Sequence, residues 1–184
     1  MRRMNAARAA AALALATIVS LPSGATAAPM KVLGTDPALD GAPGADLVSV
    51  AAATHGTDFH IQIGLAQALP VQGSYPGAGI EWAFDVKGRT FLVEAHPEPG
   101  EMRYTLFEIT GDSLRQLKIL EGAIDTDTGL IDMYVPLSTI GARKGTRISG
   151  RGDGSTPDAD IHQHAGPASR ELDALTTTSD FVVR

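Results

Sequence analysis

Apolar side chains recur at every second position in short windows bounded by turn residues, the spacing of half-buried strands, and no longer window sustains the spacing of a helical stripe. Phe59, Ile61, Ile63 and Leu65 face one way, with His60, Gln62 and Gly64 facing the other. Ile80, Trp82, Phe84 and Val86 alternate with Glu81, Ala83, Asp85 and Lys87, and Phe91, Val93 and Ala95 resume the alternation after Gly88. A two-residue turn at Lys87-Gly88 makes this a hairpin, and counting outward pairs Phe84 with Phe91, Trp82 with Val93 and Ile80 with Ala95 on one apolar face. Gly111-Asp112 predicts the next turn, between strands at 102–110 and 113–121. Asp127-Thr128-Gly129 predicts another, leading into 130–135. Further strands are expected at 46–54, 146–150 and 179–183, and one short helical turn at 136–140. About nine or ten strands with one apolar face must pair face to face to bury it. The expected fold is therefore all-β, a two-sheet antiparallel β-sandwich of jelly-roll or immunoglobulin-like type with long loops.

Two segments break the alternation. Residues 66–79 hold two prolines among several glycines and read as a loop. Residues 150–178, rich in Gly, Asp, Ser and Pro, read as a longer one with a weak helical pattern at 168–175. Loops of that length inside a compact domain are usually functional or disordered.

At the start of the chain, Arg2, Arg3 and Arg8 precede the uncharged run Ala9–Leu21 and then the small residues up to Ala28. That is the three-part pattern of a secretory signal peptide, and its apolar run is too short for a bilayer core of roughly 30 Å. The expected organisation is a signal peptide at 1–28, an extended lead-in at 29–45 and the sandwich at 46–184, with an extracellular location and no membrane insertion after cleavage. Losing the three signal arginines leaves 12 Lys+Arg against 21 Asp+Glu, a balance of -9 where the whole chain carries -6. Such acidity disfavours nucleic acid as a partner and suits cation binding. With no cysteine, thiolate metal sites, disulfides and cysteine nucleophiles are excluded.

Candidate chemistry is carried by oxygen and imidazole groups. Calcium takes six to eight oxygen ligands from carboxylates and carbonyls in irregular loops. Two segments offer them: Asp36, Asp40 and Asp46, and Asp153, Asp158 and Asp160. His162 and His164 are two apart, so an extended chain turns both to one side, as two ligands of a zinc, copper or nickel ion require. His55, His60, Asp158 or Asp160 would supply the third ligand. Calcium is the first cofactor expectation and a transition ion at His162/His164 the second. The hairpin register also sets Glu81 opposite Glu94, with His96 two residues on along the same side. Opposed carboxylates about 5 Å apart have the separation of a retaining glycosidase pair. Tyr75, between Ser74 and Pro76 in the 66–79 loop, is the candidate ring for stacking on a ligand. No G-x-S-x-G elbow, phosphate loop or H-E-x-x-H is present.

Asp36-Pro-Ala-Leu-Asp40 followed by Ala45-Asp-Leu-Val-Ser-Val50, the 82–95 hairpin, and Thr128-Gly-Leu-Ile followed by Val135-Pro-Leu-Ser-Thr-Ile-Gly141 resemble secreted bacterial β-sandwich modules of the DOMON-like and family 9 carbohydrate-binding type. The resemblance implies a non-catalytic module accompanying exported peptidases or glycosidases, sugar held against exposed aromatic rings, and a structural calcium near the first strand, where Asp36, Asp40 and Asp46 stand. Together these readings give a secreted binding module that recognises a glycan or an extracellular protein surface through its long loops, with Tyr75, Glu81, Glu94 and His96 as ligand-binding candidates. A β-sandwich glycoside hydrolase using Glu81 and Glu94 is the alternative.

Overall fold

A computed structural model describes residues 29–36, 46–66, 78–98, 101–150, 161–165, 170–175 and 177–184, with the backbone alone at 78, 97, 161–165 and 170–174. Every regular element among them is a strand: β1 (Lys31–Thr35), β2 (Leu47–His55), β3 (Asp58–Leu65), β4 (Ala78–Val86), β5 (Arg89–Glu98), β6 (Glu101–Thr110), β7 (Ser113–Ile119), β8 (Glu121–Asp125), β9 (Leu130–Pro136), β10 (Arg147–Gly150), β11 (Ile161–Ala165), β12 (Arg170–Leu175) and β13 (Phe181–Val182). One sheet has five strands in the order β1-β2-β3-β9-β8; the other runs β12-β11-β4-β5-β6-β7. In the second sheet β4 has two partners along one side, β11 beside its first half and β10 beside its second, with β13 beyond β10. All pairings are antiparallel, and the two sheets pack together as a β-sandwich.

Alternation along the strands decides what is buried. Phe59, Ile61 and Ile63 of β3 with Ile131, Met133 and Val135 of β9 line one inner face; Ile80, Trp82 and Phe84 of β4 with Phe91, Val93 and Ala95 of β5 line the other. Rings carry the contact between sheets. Phe59 sits 5.9 Å from Trp82, 5.9 Å from Phe84 and 5.2 Å from Phe181, centroid to centroid. Fully burying each such side chain contributes about 1.5–3 kcal/mol. Trp82, the only tryptophan, is thus a core residue, 1% exposed.

The β4–β5 hairpin has the register its turn demands. Ile80 pairs with Ala95, Trp82 with Val93 and Phe84 with Phe91. Lys87 and Gly88 both have positive φ, 51° and 77°, the mirror-image turn whose twist matches the flanking strands. Thr110 pairs with Ser113 around Gly111-Asp112. Before β9, Asp125 Oδ1 accepts from the Asp127 N–H at 2.9 Å and the Thr128 N–H at 3.3 Å, closing the turn locally.

Four strands depart from the sequence reading, giving thirteen among the described residues rather than nine or ten. Lys31–Thr35, within the expected lead-in, pairs with β2. The strand expected at 113–121 ends at Ile119, where buried Leu120 carries the chain into the other sheet to form β8. The loop expected at 150–178 contains β11 and β12, and the helical pattern at 168–175 is strand β12 instead. Glu, Leu and Ala favour a helix there, but pairing with β11 satisfies the backbone and prevails over that weak preference. At 137–141 the expected helical turn is a run of hydrogen-bonded turns, with the Thr139 N–H bonded to the Pro136 carbonyl at 2.9 Å and the Ala142 N–H to Leu137 at 2.8 Å.

Both ends of the described chain are tied to the same sheet. The Thr178 N–H donates to the Leu33 carbonyl at 2.8 Å, Lys31 Nζ donates to the Asp180 carbonyl, and the Arg184 N–H donates to Thr54 Oγ1 at 3.1 Å. Among the described residues no helix is long and apolar enough to cross a membrane.

Candidate functional site

The polar partners of each strand's alternation cover the two outer faces, and each outer face gathers a cluster. On the five-stranded sheet, β3 and β9 are paired so that His60 stands opposite Tyr134 and Gln62 opposite Asp132. His60 Nε2 lies 2.7 Å from Asp132 Oδ1, and Gln62 Nε2 donates to the same oxygen at 3.0 Å. The His60 and Tyr134 rings stack at 4.5 Å with 15° between their planes, and His55 at the end of β2 lies 5.8 Å from Tyr134. Tyr134 also walls a pocket of about 190 Å³ completed by Asp58, Lys118, Ile119, Glu121 and Pro136. Burial, then the nearby Asp132 carboxylate, pushes the Tyr134 hydroxyl above its usual range. It stays neutral, able to donate and accept hydrogen bonds. A ring face beside a carboxylate, an amide and an imidazole is the combination that holds a polyhydroxylated ring, stacking on its C–H face and bonding its hydroxyls.

On the larger sheet, Glu81 of β4 stands directly opposite Glu94 of β5, and His96 follows two residues along. His96 Nδ1 is 3.6 Å from Glu94 Oε1. Burial, then repulsion from Glu81, raises the Glu94 carboxyl, while His96 and Arg103 oppose the rise. Arg103 is itself engaged by Glu98 at 3.1 Å. Glu94, His96, Glu98 and Arg103, with Thr105, Phe107 and Gln116 but without Glu81, line a second pocket of about 190 Å³.

The remaining sequence candidates fall elsewhere. Asp36 follows β1, its N–H bonded to the Val48 carbonyl at 3.0 Å. Asp46 is 3% exposed at the start of β2, and its carbonyl accepts from the Ala66 N–H at 2.8 Å. Asp40, Tyr75, Asp153, Asp158 and Asp160 lie outside the described residues. His162 and His164 are in β11, where the register sets them opposite Glu81 and Gly79. His55 and His60, considered as third ligands for that pair, belong to the other sheet. Among the described residues no group of three or more His, Asp or Glu is arranged to hold a metal ion.

Sequence reasoning missed the Tyr134–His60–Asp132–Gln62 cluster. Its only local trace is that Asp132 and Tyr134 alternate with the buried Ile131, Met133 and Val135, which places a ring and a carboxylate on one solvent-facing side. Their meeting with β3 is long-range and leaves no spacing to read. Comparison of the chain with protein families, curated proteins and solved structures finds no match.

Proposed function

We propose that this is a secreted, non-catalytic binding module whose ligand is a glycan, held on the outer face of the five-stranded sheet. The observation that carries the reading is the Tyr134 ring stacked on His60 beside Asp132 and Gln62, with a pocket that Tyr134 helps to line. The signal-like sequence at 1–28, the acidic balance of residues 29–184 and the resemblance to carbohydrate-binding sandwiches point the same way. Glycan recognition needs few groups: a ring to stack on and planar polar side chains to bond neighbouring hydroxyls.

A glycan array probed with the full chain, followed by titration calorimetry on the strongest hit, tests this. Tyr134→Ala is expected to weaken binding about tenfold or more, since tenfold corresponds to roughly 1.4 kcal/mol and a stacked ring contributes about that much. Absence of any glycan signal, or a Tyr134→Ala variant that binds as well as the parent, overturns the reading. Release of new reducing ends from a bound glycan, lost in Glu94→Gln, would instead favour a glycoside hydrolase using Glu81 and Glu94.

A further inference from the structure

Positive side chains are scarce in residues 29–184, where 12 Lys+Arg are outnumbered by 21 Asp+Glu. Four of those twelve meet in one place. A cavity of about 410 Å³ beside the β4–β5 turn is lined by Lys87, Arg143, Lys144, Gly145, Thr146 and Arg147, with no carboxylate in its wall. Arg147 is paired with Asp180. Among the described residues no carboxylate pairs with Lys87, Arg143 or Lys144.

These cations are held by a fixed backbone. The Thr146 N–H donates to the Arg143 carbonyl at 2.8 Å and Gly145 between them has φ of 82°, which makes 143–146 a type II turn. Buried Thr146 closes the same turn from its side chain, Oγ1 accepting from the Arg143 N–H at 3.0 Å. The Gly145 N–H donates to the Val183 carbonyl at 2.8 Å and the Val183 N–H to the Thr146 carbonyl at 3.0 Å, so the turn is fastened to the end of the chain. From the hairpin, Lys87 Nζ donates to the Gly141 carbonyl at 2.7 Å. That bond uses one ammonium hydrogen and neutralises no charge.

Lys87 supplies an independent sign. Its φ of 51° is the left-handed conformation at the first position of a mirror-image hairpin turn, where Asn, Asp or Gly is the usual residue. Asparagine would serve the turn better; what lysine adds is an ammonium at the cavity wall.

We propose that this cavity binds a compact oxyanion, a sulfate or phosphate group, free or carried on a small ligand. A guanidinium presents paired N–H donors that match two oxygens of such a group, and an ammonium adds a point charge. Because the rest of the chain is acidic, a long polyanion is repelled beyond the cavity, and a compact group is not. None of the lining residues belongs to the proposed glycan surface, so the two sites stand or fall separately.

Inorganic phosphate, inorganic sulfate and glucose 6-phosphate are the probes, titrated calorimetrically into the full chain at low ionic strength. One anion per chain is expected to bind saturably and to raise the thermal midpoint as its concentration increases. Arg143→Gln/Lys144→Gln should weaken binding at least tenfold, while Arg115→Gln, outside the cavity, should bind like the parent. In Lys87→Asn the midpoint without anion should be unchanged or higher, because asparagine suits the turn, whereas affinity should fall threefold or more. Tighter binding of glucose 6-phosphate than of inorganic phosphate assigns the group to an ester, and equal affinity assigns it to the free anion; both support the site. Absence of saturable binding by every probe overturns the proposal. So does parent-like binding in Lys87→Asn, or capture of heparin without any of the small anions, which reports only diffuse attraction. If the double variant unfolds, Lys87→Asn decides.

Discussion

The ring of Tyr104 lies directly on the backbone of Gly122, so close that a Cβ at position 122 would sit 2.6 Å from Cδ2 of the ring and 2.8 Å from the Asp132 carbonyl oxygen. Tyr104 belongs to β6 and Gly122 to β8, so this contact joins the two sheets where the chain crosses between them, and the Leu120 N–H bonds the Tyr104 carbonyl at 2.9 Å beside it. Gly122→Ala must displace either the ring or the strand. We expect a loss of about 1–3 kcal/mol, the usual cost of overpacking, read as a lower urea midpoint with unchanged slope.

Tyr104 also gives the protein an alkaline limit. Burial, helped by Asp132, pushes its hydroxyl up to about 12 from the ordinary 10. Because the folded form holds the proton more tightly, stability is unaffected below the ordinary value and falls as pH rises from there toward 12. The loss is on the order of 1–3 kcal/mol, about 1.4 kcal/mol for each unit by which the value is raised. Tyr104→Phe should flatten this limb in pH-dependent denaturation.

At the acid end the sign reverses. Arg115 and Arg89 bond the Glu108 carboxylate, Arg89 Nε at 2.7 Å, and hold it below the ordinary carboxylate range. Its contribution is present above the unfolded value and lost as pH falls through the depressed one. Thermal melts of Glu108→Gln should differ from the parent at neutral pH and converge with it in acid.

Asp132 organises the proposed glycan surface by accepting from Gln62 and pairing with His60. Asp132→Ala should leave both partners without their acceptor at a partly buried place and cost about 1–2 kcal/mol. It should also weaken binding of any array hit, whereas Glu108→Gln, outside the cluster, should bind like the parent.

Among the described residues Phe59 is the one ring packed against Trp82, Phe84 and Phe181 at once. Phe59→Ala should cost about 3–5 kcal/mol, the range for emptying an aromatic site in a core, and chemical denaturation would measure it. A loss near zero would mean that the sheets close over the gap.

The parts of this fold that could be read in advance are those in which a local signal fixes a non-local fact. Lys87-Gly88 is such a signal: once the turn is placed, counting alone pairs Trp82 with Val93 and Glu81 with Glu94. β8 could not be read, because Glu121–Asp125 is exposed at every position except Ile124 and shows no apolar alternation. β11 and β12 are polar and helix-like in composition, and only their partners identify them. The His60–Asp132 pair spans 72 residues and depends on the β3–β9 register, which no turn sets.

The tie between Leu33 and Thr178, with Arg184 reaching Thr54, means that the two ends of the described chain meet beside β1 and β2. A short linker could therefore join residue 184 to residue 30 and new ends be cut at Gly111-Asp112, giving a circular permutant with every strand pairing intact. By the same geometry the sandwich could be spliced as a cassette into a surface loop of a carrier protein, since its entry and exit need span little distance.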